Sequence, residues 1–226
     1  MDAIKTVVVT GASGALGQET VRVLDQAGCE LFAVSKSLGL SFDQGHVHRL
    51  GGVDLSYFEQ AEHAIQTAYE KLGRIDALVN IAGGFCWESL SEGSLDLWEQ
   101  MLATNLRTSL NACKAALPYL NSGSAIVNVG AAASKRGTLG MGAYTASKAA
   151  VSRLTESLAD ELRLDGIRVN MVSPTVIDTP KNRQDMPAEE FAHWVTPREV
   201  GHVIEFLISN RASGVNGAEI QVRGRL

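Results

Sequence analysis

Short apolar runs rich in β-branched residues alternate with longer amphipathic stretches along the whole chain. The runs at 4–10, 29–34, 47–52, 75–80, 124–130, 167–172 and 218–222 are predicted strands. The stretches at 14–27, 56–72, 94–120, 142–164 and 197–209 repeat their apolar positions at helical spacing and are predicted helices. Strand and helix in turn predict an α/β fold: a doubly wound parallel sheet of about seven strands with helices on both faces. No linker, repeat or low-complexity stretch interrupts it, so 1–226 reads as a single domain. Only 35–45 separates the second and third strands, too little for a crossover helix, and a loop is expected there. The segment 174–197 reads as one long irregular loop, of the kind that serves as a substrate lid.

Composition narrows the classes. At 226 residues and 45% hydrophobic content the chain can bury one good-sized core. The net charge of -5 is dispersed, with no basic stripe, so nucleic acid is not an expected partner. No apolar stretch approaches the roughly 20 residues needed to span a bilayer. The first strand begins almost at once, leaving no room for a leader peptide. Three scattered cysteines, Cys29, Cys86 and Cys113, read as reduced buried thiols of a cytoplasmic protein. His46 and His48 share a strand face without a third ligand nearby, so no metal site is expected.

Two constellations carry chemistry. After the first strand comes Gly11-Ala12-Ser13-Gly14-Ala15-Leu16-Gly17, then a helix. Strand, glycine turn and helix in this order form a dinucleotide-binding unit, with phosphates at the helix N-terminus. The second is Tyr144 and Lys148, four residues apart and on one helical face. A free phenol has a pKa near ~10, and a neighbouring ammonium lowers it toward the range useful for proton transfer. Ligands of open parallel sheets sit at the carboxyl ends of the strands. Those ends carry Asp54, Asn80-Ile81-Ala82-Gly83-Gly84, Gly130-Ala131-Ala132-Ala133-Ser134 and Ser173-Pro174-Thr175.

These motifs, with Asn105 and the Pro174…Thr179-Pro180 segment, occur in the order found in short-chain dehydrogenases/reductases, and nearly the whole chain resembles that family. Gly130 to Ala133, Gly137 to Met141 and Ile177 to Pro187 resemble its dihydropteridine reductase-like branch. The resemblance implies a Rossmann-type fold and NAD(P)-dependent oxidoreductase activity. Tyr144 then protonates the group being reduced. Lys148 lowers the Tyr144 pKa and binds the nicotinamide ribose. Asn105 holds a water of a proton relay. The cofactor would lie against Gly11, Ser13, Gly14, Ala15, Leu16, Ser35, Lys36, Asp54, Asn80, Ala82, Gly83, Tyr144, Lys148, Pro174, Ile177 and Thr179. Each has a plainer reading. Asp54 is equally suited to cap a helix near Ser56, Asn105 to satisfy a backbone carbonyl, and Thr179-Pro180 to form an ordinary turn. The chain departs from the family at Ala131, thirteen residues before Tyr144, where the common form has a serine that polarises the substrate carbonyl. Ser134 is the nearest hydroxyl.

The second strand ends in Ser35-Lys36-Ser37 with no carboxylate, which favours NADP(H) over NAD(H). Phe85, Trp87, Ala131, Met141 and Trp194 are the candidate substrate residues, joined in the same loops by Leu139, Met186, Phe191 and His193. They suit a small, planar or apolar substrate; the resemblance, with Ala131 in place of the serine, implies that it bears a carbonyl or conjugated imine. The apolar rows Leu102, Leu106, Leu110 and Val151, Leu154, Leu158 would, by resemblance, pair subunits into a homodimer or homotetramer. The competing readings are a dihydropteridine reductase and a nucleotide-binding protein with impaired catalysis, the latter motivated by Ala131.

Overall fold

The computed structural model describes residues 5–39, 46–186 and 188–225, and for 188–190 the backbone alone. Strands β1 (Thr6–Thr10), β2 (Glu30–Val34), β3 (Val47–Leu50), β4 (Ala77–Asn80), β5 (Ala125–Val129), β6 (Arg168–Pro174) and β7 (Glu219–Val222) form one sheet. Its order is β3-β2-β1-β4-β5-β6-β7, and every pairing is parallel. The β-branched runs are continuous because the central strands are covered on both faces. Val7 and Val9 point to one side, where helices α1 (Ala15–Gln26) and α7 (Pro197–Ile208) supply Leu16, Val21, Leu24, Ile204 and Leu207. Val8 points to the other, where α2 (Phe58–Leu72), α4 (Thr108–Ala116) and α5 (Gly142–Glu161) supply Ala61, Ile65, Ala112 and Leu158.

Two expectations change. The predicted helix over 94–120 is α3 (Leu95–Met101), a π-helical stretch (Leu102–Arg107) and then α4. Asn105 sits inside that wider turn, and the hydroxyls of Thr108 and Ser109 donate to the carbonyls of Thr104 and Asn105. A π turn commonly marks a functional position. The segment 174–197 is not irregular. It contains α6 (Pro180–Asp185) and a 3₁₀ stretch (Ala188–His193). Its ends are joined where the Asp178 amide donates to the Val195 carbonyl and the Val195 amide to that of Val176. Of the loop expected at 35–45, the part at 40–45 lies outside the described residues.

The segment is also braced from within. Arg183 pairs with Asp178 at 2.5 and 2.7 Å and lies over the Phe191 ring, which packs on Trp194 at 4.6 Å. Trp194 is 2% exposed and belongs to the core, so its expected role as a substrate wall is corrected. A buried indole fills too much volume for its neighbours to close over its loss. Trp194→Ala is therefore expected to cost about 3–5 kcal/mol of unfolding free energy. Urea titration measures this, and a loss below about 1 kcal/mol would contradict the anchoring role.

Candidate functional site

The sheet order reverses between β1 and β4, and their carboxyl ends flank the glycine turn. Gly11 has φ +67, and a Cβ there would stand 2.5 Å from the Ala82 nitrogen. A Cβ on Gly17 would stand 2.2 Å from the Gly11 carbonyl oxygen. Both glycines are required by packing, whereas Gly14 faces open space apart from one ordinary contact. Gly14 caps α1 with no side chain and is exposed together with Ala15, so the first amides of the helix keep their donor capacity. Gln18 holds the Ser13 carbonyl at 2.8 Å. Leu16 puts its side chain into the core and has only its backbone to offer a ligand.

At the end of β2 the expected ligands pair with one another. The exposed Lys36 ammonium reaches the Asp54 carboxylate at 2.6 Å. That hydrogen bond raises the lysine pKa. Partial burial works against the Asp54 charge, but hydrogen bonds from Lys36 and Ser56 hold its carboxyl below the usual range. The other Asp54 oxygen accepts from the Ser56 amide and hydroxyl, so the plainer structural role is present too. Ser35 is corrected: it is buried and its hydroxyl donates to the Ser37 carbonyl at 2.6 Å. Of Ser35 and Lys36, Lys36 is the one left exposed.

Asn80 is likewise turned inward. Its amide donates to Asn128 Oδ1 at 2.9 Å, and its own oxygen accepts from Thr10 Oγ1 at 3.4 Å. Asn128 continues to Thr155 Oγ1 at 2.9 Å, and the Thr10 hydroxyl receives the amides of Ile81 and Ala82. This buried polar ladder holds the strand ends from below. Sequence reasoning passed over Asn128 and Thr155. A polar asparagine in the middle of an apolar strand run was the available signal.

Tyr144 and Lys148 lie on the first turns of α5. Lys148 is buried and donates to the Val129 carbonyl at 2.8 Å. Burial lowers its pKa to about 8. Burial also raises the Tyr144 phenol to about 12, and no charge opposes it. The expected lowering of the phenol by Lys148 is thus corrected, because desolvation governs both groups. Asn105 is buried: its Oδ1 accepts from the Gly84 amide at 2.8 Å, and its Nδ2 donates to the Gly84 carbonyl and Ser147 Oγ. Both of its amide protons are thus used within the protein. A Cβ on exposed Gly83 would stand 2.7 Å from Asn105 Oδ1 and 3.1 Å from Lys148 Nζ, which places Ala82 and Gly83 beside the lysine.

The Phe85 ring meets Tyr144 edge-on at 4.9 Å. Trp87 is 58% exposed yet fixed, since a Cβ on Gly140 would overlap its indole at 2.1 Å. The Glu88 amide donates to the Gly140 carbonyl at 2.8 Å, docking this loop on the one that leads into α5. Met141 is half-buried at the helix start. Ala131 is buried, and Ser134 donates its hydroxyl to the Ala131 carbonyl at 2.7 Å. Ser134 lines a cleft with Ala149, Ala150 and Arg153, away from the Tyr144 face of α5, and does not replace the absent serine.

Pro174 closes β6 and is buried. Thr179 caps α6 by accepting from the Asn182 amide, and the Ile177 carbonyl accepts from Asn182 Nδ2 at 2.8 Å. Of the rows assigned to subunit pairing, Val151 and Leu158 are buried in the core and only Leu110 is clearly exposed. Cys113 is buried, whereas Cys29 and Cys86 are half-buried, a correction to the reading of all three as buried. Among the described residues no cluster of three metal-ligating side chains occurs, and no helix is long and apolar enough to cross a membrane.

A glycine-turned β1–α1 crossing, a parallel sheet and a Tyr-x-x-x-Lys helix at its carboxyl edge define a Rossmann-type nucleotide-binding oxidoreductase. The family model for short chain dehydrogenase matches residues 5–190, and the chain belongs to that family. It is 33% identical to meso-2,3-butanediol dehydrogenase of Serratia marcescens over 97% of this chain and 93% of that one. It is 32% identical to a 3-oxoacyl-(acyl-carrier-protein) reductase of Thermotoga maritima over 98% of this chain and 97% of that one. Among solved structures, a glucose/ribitol dehydrogenase-type member from Brucella melitensis superposes with TM-score 0.88 at 30% identity, covering 96% of this chain and 94% of that one. A short chain dehydrogenase from Burkholderia cenocepacia, solved with NADP, superposes with TM-score 0.86 at 26% identity, covering 97% and 96%.

The seat of Trp87 gives a direct test. Gly140→Ala is expected to lift the indole, raising acrylamide quenching of Trp87 severalfold, on the order of the change from a packed to a free surface side chain. The measurement uses a variant in which Trp98 and Trp194 are Phe. Unchanged quenching would refute the contact.

Proposed function

We propose that the protein is an NADPH-preferring reductase acting on the carbonyl or conjugated imine of a small, planar or apolar substrate, with Tyr144 as proton donor. The observation that carries this reading is the placement of Tyr144 one helical turn from buried Lys148, beside Gly83 and the carboxyl edge of the sheet. The site fits a dinucleotide: uncapped first amides of α1 for the phosphates, the collision-limited glycines Gly11 and Gly83 for close approach, and Lys36 for a 2′-phosphate. When bound, the dinucleotide supplies the hydride. Ser13, Gly14, Ala15 and Leu16 would hold the phosphates through backbone, Asp54 and Ala82 the adenosine side, and Pro174, Ile177 and Thr179 the nicotinamide side.

Tyr144 is protonated throughout the neutral range and so is suited to give a proton rather than take one. Lys148, one helical turn on, would offer a donor to the ribose. Asn105 keeps Gly84 and Ser147 in register. Phe85, Trp87 and Met141 form the substrate wall, with the braced segment 174–197 beside it. The diol and oxoacyl substrates named for the two relatives support a carbonyl. Ala131 favours a second reading, reduction of a conjugated imine such as a dihydropterin, because that reaction needs no carbonyl-polarising serine. A nucleotide-binding protein with impaired catalysis is the remaining alternative. We further infer a cytoplasmic homo-oligomer.

Three results test this. Tyr144→Phe is expected to reduce NADPH-dependent turnover of diacetyl, cyclopentanone, quinones and quinonoid dihydropterin by at least about 100-fold. Retained turnover would refute the proton-donor assignment. NADPH is expected to exceed NADH in kcat/KM, and Lys36→Ala to remove most of the difference, about tenfold for one exposed phosphate contact. A wild-type preference for NADH would overturn the cofactor reading. The Lys148 ammonium is charged below its pKa of about 8 and neutral above it, so kcat/KM for reduction is expected to be level near neutrality and to fall as pH rises through that value. An alkaline limb lying near the ordinary lysine value would contradict the assignment.

A further inference from the structure

Ser147 stands between Tyr144 and Lys148 in α5 and is fully enclosed. Its hydroxyl donates to the Tyr144 carbonyl at 2.7 Å and accepts from Asn105 Nδ2 at 2.9 Å. Asn105 in turn accepts from the Gly84 amide at 2.8 Å and donates to the Gly84 carbonyl at 3.1 Å. An unbroken path therefore runs from the loop after β4, through the π turn, to the helical turn that carries Tyr144.

Donor and acceptor chemistry fixes the direction of every link. A backbone amide can only donate, so the Gly84 N–H settles which end of the Asn105 amide faces it. The Asn105 amino group is thereby turned toward Ser147, whose oxygen must accept. The single Ser147 proton then goes to the Tyr144 carbonyl, and none remains for a substrate. Serine and threonine often bond back to their own helix, and Thr108, Ser109 and Thr145 do only that here. Ser147 and Thr155 also receive an asparagine from another element. Thr155 does so deep in the core, Ser147 beside the Tyr144–Lys148 pair.

We propose that Ser147 is a positioning residue for proton delivery: through Asn105 it sets the separation between the Gly83–Gly84 loop and the Tyr144–Lys148 turn. The inference rests on the reading of Tyr144 as proton donor. The separation is tight, because a Cβ on Gly83 would lie 3.1 Å from Lys148 Nζ and 2.7 Å from Asn105 Oδ1. With Ser147→Ala the Asn105 amino group loses a buried partner and the loop is no longer tied to the helix. Misplacement of reacting groups by a fraction of an ångström is enough to slow chemistry without weakening nucleotide binding.

The test compares Ser147→Ala, Asn105→Ala, their double variant and Asn105→Asp, which keeps the acceptor for the Gly84 amide but removes the donor. Reduction of diacetyl by NADPH is expected to lose about 10- to 100-fold in kcat in Ser147→Ala. The NADPH dissociation constant is expected to stay within about two-fold. Exchange of the Gly84 amide, followed by NMR, is expected to quicken at least about tenfold while strand amides stay protected. Asn105→Asp, which also loses the bond to the Gly84 carbonyl, is expected to be at least as slow as Ser147→Ala, and the double variant to be no slower than the slower single variant. A Gly84 amide that exchanges at the wild-type rate in Ser147→Ala overturns the proposal, as do losses that simply multiply in the double variant. Wild-type turnover in Tyr144→Phe would remove the proton-donor reading, and the exchange measurement would still decide whether Ser147 ties the loop to the helix.

Discussion

The enclosed Lys148 ammonium constrains everything around it. A buried cation is costly unless a partner meets it, and here the partner is the Val129 carbonyl at the end of β5. That bond fixes how α5 is rotated over the sheet. With Lys148 directed at β5, helical geometry puts Tyr144 one turn back on the same side. Burial then separates the two pKa values from their ordinary positions in opposite directions, toward about 8 for the amine and about 12 for the phenol. Both shifts disfavour the charged form: the phenol holds its proton more firmly and the ammonium less firmly, but about 8 is still above neutral pH, so both groups are protonated there.

A second layer supports the first. Asn80 and Asn128 face each other across β4 and β5 in register, and Thr10 and Thr155 extend the contact to β1 and α5. Polar side chains buried between the strands and α5 would be destabilising if any were left without a partner. Satisfied together, they hold the carboxyl ends of the strands level, which is where Gly11, Ala82 and Gly83 lie. The site's accuracy thus comes from buried hydrogen bonds underneath it more than from the loops that form its walls.

The strand and helix order, the glycine turn and the Tyr144–Lys148 pair were legible because each is encoded by local spacing. What was not legible depends on contacts between distant segments. Nothing in the 94–120 pattern announces a π turn, since it is the hydrogen bonds from Asn105 to Gly84 and Ser147 that accompany it. Trp194 looked like a pocket residue because it lies in a long connecting segment, yet packing against Phe191 draws it into the core. Ser35 looked like a phosphate ligand because of its place after β2, but burial and the nearby Ser37 carbonyl claim its hydroxyl. In each case the residue type was read correctly and its direction was not, because direction is settled by the neighbours it packs on or bonds to.

Selectivity between the two dinucleotides follows the same logic. Lys36 is exposed, so its charge is well screened, and it is already paired with Asp54. A 2′-phosphate would gain the ammonium only by sharing it with that carboxylate, whose own charge repels the newcomer. Among the described residues directly after β2, Ser35, Lys36 and Ser37 bring no carboxylate to a ribose 2′-hydroxyl. Neither ligand finds an ideal partner, and specificity is a difference between two affinities rather than a property of one contact. In the proposed reading, Lys36 would favour the phosphorylated cofactor by less than an unpaired lysine, and Asp54 would set how far.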